Sequence, residues 1–220
     1  MIVTIDGYSS TGKSSAGRGL AEKLGYGFLG TGSIYRALTL KYLRTKKNYR
    51  NEEDIEFILK NTKIEIKFTG CTQQTFLDGE DVSNILQTPN INKVVPMISK
   101  IRKNRDFALK IQHKTADNAN IVVEGRDIGS VVFPHAEYKF FFTADPVVRA
   151  KRRQQEYEKL GKIVLLDDII KENKERDLID TTREISPLVV PKGAKIIDTT
   201  DTTLEECINI MYNFIKKNRK

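Results

Sequence analysis

The stretch Gly7-Tyr8-Ser9-Ser10-Thr11-Gly12-Lys13-Ser14 constrains this chain more than any other part of its sequence. It fits the phosphate-binding pattern G-x-x-x-x-G-K-[ST], whose backbone N–H groups turn inward toward a polyphosphate. Residues 2–5 are apolar and β-branched and predict a buried strand, whereas residues 14–24 predict a helix. Because strand, glycine-rich loop and helix follow in the order that the motif requires, we interpret the stretch as a phosphate loop rather than a chance match.

Each residue type in this loop has a chemical purpose. Gly7 and Gly12 permit backbone conformations that a Cβ would forbid. Lys13 can place its positive charge between the β- and γ-phosphates, and Ser14 can offer its hydroxyl to Mg²⁺. The N-terminus of the following helix adds the positive end of its dipole. We therefore expect a nucleoside triphosphate here, with Mg²⁺ bound through Ser14.

Charge and cysteine content narrow the functional classes. The net charge of +8 implies acidic partners, such as nucleotides or nucleic acid, or simply a basic surface. Cys71 and Cys207 are too far apart for a disulfide scaffold or a zinc pattern, and two histidines do not support a histidine-rich metal site. We interpret both cysteines as reduced thiols in a cytoplasmic protein. We expect no membrane span and, since residues 1–3 run directly into the first strand, no signal peptide.

Strand and helix patterns alternate along most of the chain. They predict one α/β domain over residues 1–220, with a parallel sheet between two layers of helices. Residues 62–98 differ, because apolar and polar residues alternate over 64–68 and a second strand, 75–77, leads into an Asp-Gly turn. They predict an inserted unit with its own small antiparallel sheet. Residues 92–114 predict a single basic helix, and residues 31–33 predict the cap of the helix that follows them.

Arginine is concentrated where ligands bind in this kind of fold. Lys13, Arg36 and Arg126 lie in loops at the carboxyl ends of predicted strands. The later helices add Arg149, Arg152, Arg153, Arg176 and Arg183. The planar guanidinium matches a phosphate group bidentately, and one triphosphate does not need this many arginines. The pattern therefore favours phosphoryl transfer to an acceptor that is itself a phosphate, although a surface ion pair is the alternative for each arginine.

Four motifs in this order resemble those of bacterial cytidylate kinases. They are the phosphate loop, Thr-Gly-Ser-Ile-Tyr-Arg at 31–36, Glu-Gly-Arg-Asp-Ile-Gly-Ser-Val-Val-Phe-Pro at 124–134, and residues 174–188. The third motif is highly specific, and the resemblance spans nearly the whole chain. It implies a P-loop nucleoside monophosphate kinase with an acceptor-binding unit at 62–98 and a helical lid at 147–183. Its reaction would move the γ-phosphoryl group of ATP, with Mg²⁺, to CMP and dCMP. We expect a monomer that binds no nucleic acid.

The resemblance also implies a role for each motif residue. Asp127, Arg105 and Ser99 should read the cytosine, while Asp180 and Arg183 should lie near the sugar and the transferring phosphates. The catalytic residues would be Lys13, Arg126, Arg176 and Arg183. The ATP site would comprise residues 7–15, of which Ser15 is the last, together with Arg149, Arg152 and Arg153. The CMP site would comprise Thr31, Tyr35, Arg36, Ser99, Arg105, Arg126, Asp127, Arg176, Asp180 and Arg183. A structural Asp127–Arg105 ion pair and a core role for Tyr35 are the alternatives.

Two positions depart from the family pattern, and three rival functions remain to be compared. Gly30-Thr31 stands where the family usually has Asp-Ser, so the residues that form this wall of the acceptor site are not predicted by the resemblance. Tyr8 replaces a common proline. A GTPase is disfavoured because Asn92-Lys93-Val94-Val95 lacks the aspartate of the guanine motif. The nearer enzyme rival is a kinase of another small acceptor, such as UMP or shikimate. A nucleic-acid-binding ATPase would use the basic residues 92–114, but Phe107 is the one aromatic residue there.

Overall fold

A five-stranded parallel sheet forms the centre of the protein. The structure is a computed structural model that describes residues 1–117, 119–159 and 161–219. The strands are β1 (Ile2–Gly7), β2 (Gly27–Gly30), β6 (Ile121–Glu124), β7 (Tyr138–Thr143) and β8 (Lys195–Asp198), in the order β2-β6-β1-β7-β8. In the central strand, Ile5 pairs with Glu124 on one side and with Phe140 on the other. The phosphate loop therefore leaves the middle of the sheet, as expected for its motif.

Helices cover both faces of this sheet and bury one hydrophobic core on each. On one face lie α1 (Lys13–Leu24) and α8 (Leu204–Asn218), where Leu20 and Met211 are fully buried. On the other face lie α2 (Gly32–Thr45) and α5 (Arg102–Ala116), with Leu38 and Ala108 fully buried. Because both faces are covered, the consecutive residues Ile121, Val122 and Val123 of β6 are all fully buried rather than alternately buried and exposed. The predicted three-layer α/β fold is confirmed.

A second, antiparallel sheet is built from β3 (Ile64–Thr69), β4 (Thr72–Leu77) and β5 (Glu80–Asp81). It follows α3 (Glu52–Lys60), whose N-terminus is capped by the Asn51 side chain. Ile64 lies opposite Leu77, and both side chains are buried in the core that α2 covers. The small antiparallel sheet expected from the sequence is thus present, with a third short strand added.

Two details of the helices differ from the sequence expectation. The basic stretch 92–114 is not one helix, because α4 (Pro89–Ile98) ends before an extended Ile101, where α5 begins. The hydroxyls of residues 31–33 do not cap α2 either. Thr31 donates to the carbonyl oxygen of Glu124 at 3.0 Å and Ser33 to that of Gly30 at 2.9 Å. The Thr31 hydroxyl is thus used in a tertiary contact with β6 and the Ser33 hydroxyl in a local turn, and Thr31 makes no side-chain cap.

The remaining helices form a pair at the carboxyl edge of the sheet. Helix α6 (Pro146–Lys159) packs against α7 (Leu166–Thr182), within the residues predicted as a lid. The helix bounds expected for 166–182 agree with the structure. In the part of the chain that the structure describes, no helix combines the length and apolar character needed to cross a membrane.

Candidate active site

The phosphate loop lies at the carboxyl end of β1 and folds over the N-terminus of α1. Gly7 has φ of 145°, and a Cβ built there would lie 2.1 Å from the carbonyl oxygen of Phe142, so a side chain is sterically excluded. The ammonium of Lys13 donates to the carbonyl oxygen of Tyr8 and, at 3.3 Å, to the hydroxyl of Thr11. Gly7 thus allows the loop to pack closely against β7, whereas Gly12 has φ of 85°, a conformation that favours glycine.

Lys13 is buried, and its surroundings disfavour its charge. Burial and, to a smaller extent, the positive charge of Arg126 lower the pKa of Lys13 to about 7. Glu124 and Asp177 act in the opposite direction but do not compensate. A polyphosphate at this loop would supply the negative charge that the site lacks, so it would restore the ammonium form.

A cavity of about 410 Å³ opens in front of the loop and brings most of the predicted site residues together. The residues from the ATP set that line it are Ser9, Ser10, Thr11, Gly12, Lys13, Ser14, Ser15 and Arg153. The residues from the CMP set that line it are Thr31, Tyr35, Arg36, Ser99, Arg105, Arg126, Asp127, Arg176, Asp180 and Arg183. Both predicted halves of the site therefore share one cleft. Gly7, Tyr8, Arg149 and Arg152 do not line it.

Three arginines concentrate positive charge in this cavity. Burial lowers the pKa of Arg36 to about 10, and the neighbouring charge of Arg176 contributes to that decrease. Burial and the charge of Arg126 likewise lower the pKa of Arg176. For Arg126 burial acts downward, but Asp180, 2.8 Å from its Nε, and Glu124 outweigh it and raise the pKa. Partly buried, mutually repelling guanidinium groups suit a multiply charged anion.

Asp127 lies between two arginines on another wall of the cavity. Its carboxylate accepts from Arg105 and, at 3.2 Å, from Arg183. Arg105 also donates to the carbonyl oxygen of Ser99 at 3.1 Å, and its guanidinium carbon lies 5.7 Å from the centre of the Tyr35 ring. The structural ion pair considered from the sequence is therefore present. The wall still offers both donors and an acceptor to a ligand, so base reading by Asp127 stays a prediction.

Ser14 faces a carboxylate that sequence reasoning had not assigned to the site. Its hydroxyl donates to Glu124 at 2.9 Å, at the mouth of the phosphate loop. Mg²⁺ in nucleotide sites takes one or two protein oxygens and completes its shell with phosphates and waters. The Ser14 and Glu124 oxygens fit that need. Over residues 1–117, 119–159 and 161–219 no three His, Cys, Asp or Glu side chains are grouped to hold a metal by themselves.

Two of the arginines predicted for ATP hold α6 in place instead of facing the cavity. Arg149 donates to Asp177 and, at 3.1 Å, to the carbonyl oxygen of Ser9, and it is buried. Arg152 donates to the hydroxyl and the carbonyl oxygen of Thr199, just beyond β8. The structure thus separates these two from Arg153, and their contact with ATP remains a prediction.

Two more buried carboxylates support the loops without having been predicted. Asp177 accepts from the backbone N–H and the hydroxyl of Ser9, each at 3.0 Å. Asp6 accepts from the backbone N–H groups of Ile128 and Gly129, each at 2.7 Å, and burial raises its pKa to about 6. Each carboxylate thus fixes one of the two motif loops. Asp177 and Glu124 belong to the motifs at 174–188 and 124–134 although no role was predicted for them, and Asp6 directly precedes the phosphate loop.

At Gly30-Thr31, where the family usually has Asp-Ser, a side chain of the antiparallel sheet packs beside the backbone. Gln73 of β4 accepts from the Gly30 N–H at 2.8 Å and donates to the hydroxyl of Ser33. A Cβ on Gly30 would lie 3.6 Å from Gln73 Oε1, so the amide occupies the space beside the missing side chain. Sequence analysis did not identify Gln73, because this contact joins residues 43 apart in the chain.

Solved structures of similar shape share the fold. An uncharacterized protein from Eubacterium ventriosum superposes with a TM-score of 0.57 at 11% identity, and the match covers 99% of either chain. Shikimate kinase from Bacteroides thetaiotaomicron superposes with a TM-score of 0.51 at 11% identity and covers 98% of either chain. At such identities the likeness establishes the kinase-like architecture alone.

Similarity of sequence identifies the family of this chain, which similarity of fold does not. The chain is 42% identical over 218 residues to the cytidylate kinase of Caldanaerobacter subterraneus subsp. tengcongensis, covering 99% of this chain and 96% of the relative. It is 37% identical to that of Desulforamulus reducens, covering 99% and 97%. The family model for cytidylate kinase matches residues 3–217. With its motifs gathered in one cleft and this match along almost its full length, the chain belongs to the cytidylate kinase family.

Proposed function

We propose that this protein transfers the γ-phosphoryl group of ATP to CMP and dCMP, which gives ADP and CDP or dCDP for pyrimidine nucleotide synthesis. Family membership supports a nucleoside monophosphate kinase. The observation that carries the assignment is the presence of Arg36, Arg126 and Arg176 in the same cavity as Lys13. They provide for a second phosphate group beside the one that the phosphate loop binds.

Catalysis of this phosphoryl transfer depends on positioning the two phosphate groups rather than on transferring a proton. The phosphate of a nucleoside monophosphate is ionised near pH 7, so its oxygen attacks the γ-phosphorus without a general base. A new P–O bond forms as the bond to the ADP oxygen breaks, and negative charge develops on the transferring group. Lys13, Arg126 and Arg176 stabilise that charge, and Arg36 holds the acceptor phosphate. Arg183 and Asp180 orient the sugar and the phosphates.

We infer that Mg²⁺ accompanies the ATP. When bound, the ion would neutralise part of the negative charge of the triphosphate. Ser14 would hold it through its hydroxyl, with the Glu124 carboxylate next to that oxygen. Both groups belong to the phosphate-loop side of the cavity, where the triphosphate is expected.

We further propose the functional division of the chain. Residues 62–98 would enclose the acceptor and residues 147–183 would form the lid, because side chains from both segments line one cavity. Gln87 and Val95 come from the first segment, and Glu172 and Arg153 from the second. We also propose that the protein acts as a cytoplasmic monomer. Light scattering during gel filtration, with and without nucleotides, tests the oligomeric state.

A coupled assay of ADP release across CMP, dCMP, UMP, AMP and shikimate tests the reaction. We expect CMP and dCMP to give the highest kcat/KM. Preferred turnover of UMP or shikimate would instead support a kinase of another small acceptor. The nucleic-acid alternative predicts a salt-dependent DNA gel shift. We expect none at physiological salt, since the basic residues of 92–114 are spread over two helices and Arg105 among them is buried.

Binding of ATP is expected to take up protons at pH 8. With a pKa of about 7, Lys13 is mostly neutral there, and the incoming phosphates favour its ammonium form, so its pKa rises on binding. Affinity should consequently fall as pH rises from 7 to 9, by at most about tenfold per pH unit. Calorimetric titration in two buffers of different ionisation enthalpy measures the uptake. The Lys13→Met variant should lose it, and equal uptake in that variant would contradict the assignment.

Hydrogen exchange over residues 149–162 is expected to slow when a bisubstrate analogue joining ATP and CMP binds. Basic residues outnumber acidic ones in this segment, so its charges repel one another until a polyphosphate relieves them. Closure would exclude water and suppress ATP hydrolysis. The phosphate loop serves as the internal control. Slowed exchange there together with unchanged exchange over 149–162 would rule the closure out.

A further inference from the structure

Gln73 lies on the face of β4 that packs against the parallel-sheet unit. Side chains of a strand alternate between its faces, so Gln73, Thr75 and Leu77 share one face and Gln74 the other. Thr75 and Leu77 are buried, and β4 contacts both α2 and β2. Gln73 is therefore the first residue of this face along β4 and is partly buried, next to the junction of β2 and α2, where the acceptor motif begins.

The amide of Gln73 uses both of its ends at this junction. Oε1 accepts from the Gly30 N–H at 2.8 Å, while Nε2 donates to the Ser33 hydroxyl and, at 3.3 Å, to that of Thr75. The Ser33 hydroxyl in turn donates to the Gly30 carbonyl oxygen at 2.9 Å. Gly30, Ser33 and Gln73 thus form a closed ring of hydrogen bonds.

The position of β2 explains why Gly30 needs this partner. β2 is an edge strand that pairs only with β6 in the parallel sheet. The Thr31 N–H donates to the Glu124 carbonyl oxygen at 3.1 Å, so the N–H of the preceding residue points away from β6. The Gln73 amide satisfies that outward N–H. A carboxylate side chain on residue 30 would bring a second acceptor next to Gln73 Oε1, so glycine and glutamine suit each other.

We propose that Gln73 is a positioning residue for the acceptor nucleotide. It fixes the turn from Gly30 to Ser33, and through it the side chains of Thr31, Tyr35 and Arg36, which line the cavity. Gln73 itself does not line the cavity and acts through these residues. The acceptor role rests on the function proposed above, whereas the fixing of the turn is independent of it.

The test compares Gln73→Ala and Gln73→Glu with Gln74→Ala, a matched change on the opposite face of the same strand. In Gln73→Ala we expect faster exchange of the Gly30 amide proton. Loss of one to two hydrogen bonds should raise KM for CMP about tenfold, with KM for ATP and kcat changed by about twofold at most. Gln73→Glu keeps an oxygen that accepts from the Gly30 N–H, so exchange of the Gly30 amide proton should be as slow as in the unmodified protein. It loses the amide that donates to Ser33, so KM for CMP should lie between the values for Gln73→Ala and the unmodified protein. Gln74→Ala should change neither quantity.

Two results would overturn the proposal. Unchanged exchange at Gly30 in Gln73→Ala would show that the ring does not hold the turn, whatever the activity. Equal increases of KM for CMP and ATP would show a general loss of structure instead of acceptor positioning. If the unmodified enzyme did not phosphorylate CMP, the proposed function would fail first, and Gly30 exchange would still decide the role of Gln73 in the turn.

Discussion

Replacing Lys13 with alanine is expected to lower kcat for CMP phosphorylation by about 10³-fold, the loss typical of a preorganised charge-stabilising donor. Its ammonium contacts Tyr8 and Thr11 in the phosphate loop and is disfavoured by burial, so it contributes little to the stability of the fold. The circular dichroism spectrum and the melting temperature should therefore change little. Steady-state assays with saturating ATP and CMP measure the loss.

Lys23→Ala provides the matched control for this prediction. Lys23 lies on the same helix, α1, but donates to Asn209 of α8 at 2.6 Å, away from the cavity. We expect this control to retain full turnover. If Lys13→Ala had the same kcat as Lys23→Ala, the assignment of residues 7–14 as a phosphate loop would be contradicted.

Asp127→Asn is expected to lower kcat/KM for CMP much more than for UMP. Cytosine presents an exocyclic amine that donates and an N3 that accepts, which an ionised carboxylate and an arginine complement. Loss of such a complement can reduce discrimination by about 10⁴-fold, and we expect less because the asparagine oxygen still accepts. Kinetics of the variant with both acceptors measure the ratio. Equal losses for CMP and UMP would assign Asp127 to the fold or to the phosphates.

The same substitution should also affect stability, because Asp127 accepts from Arg105 and Arg183 in a buried setting. Removing one member of a buried ionic group leaves its partners uncompensated and typically costs about 3–5 kcal/mol. Denaturant unfolding should report a loss approaching that range. Asp106→Asn, an exposed change next to Arg105, is the control for both measurements. It should leave the stability and the CMP-to-UMP ratio unchanged.

Much of the fold could be predicted because its signals are local. The β-branched run before Gly7 and the helix after it define a unit whose order is legible in sequence. The alternation over residues 64–68 likewise marks a half-buried strand of the second sheet. Most site residues could be predicted for a related reason, since parallel strands place their carboxyl ends at one edge of the sheet.

The missed contacts depend on tertiary distances that no local pattern encodes. Asp177 reaches Ser9 across 168 positions of sequence, and Gln73 reaches Gly30 across 43. Gln73 lies outside the four motifs, and although Asp177 lies within residues 174–188, that motif does not indicate that its partner is Ser9. Arg149 illustrates the converse, because the family resemblance implied contact with ATP, and in the structure its guanidinium donates to Asp177 and to the Ser9 carbonyl oxygen.

The partly buried guanidinium groups of Arg36, Arg126 and Arg176 also have a thermodynamic consequence. Burial and mutual repulsion make the charged forms of Arg36 and Arg176 unfavourable in the folded protein, so the cavity lowers the free energy of unfolding. Nucleotides that bind only the native state reverse this penalty by mass action. The protein should thus be most vulnerable to heat and proteolysis when nucleotide pools are depleted. An Arg36→Met variant should have a higher melting temperature and a lower activity than the unmodified protein, a trade-off between stability and activity that is common at catalytic sites.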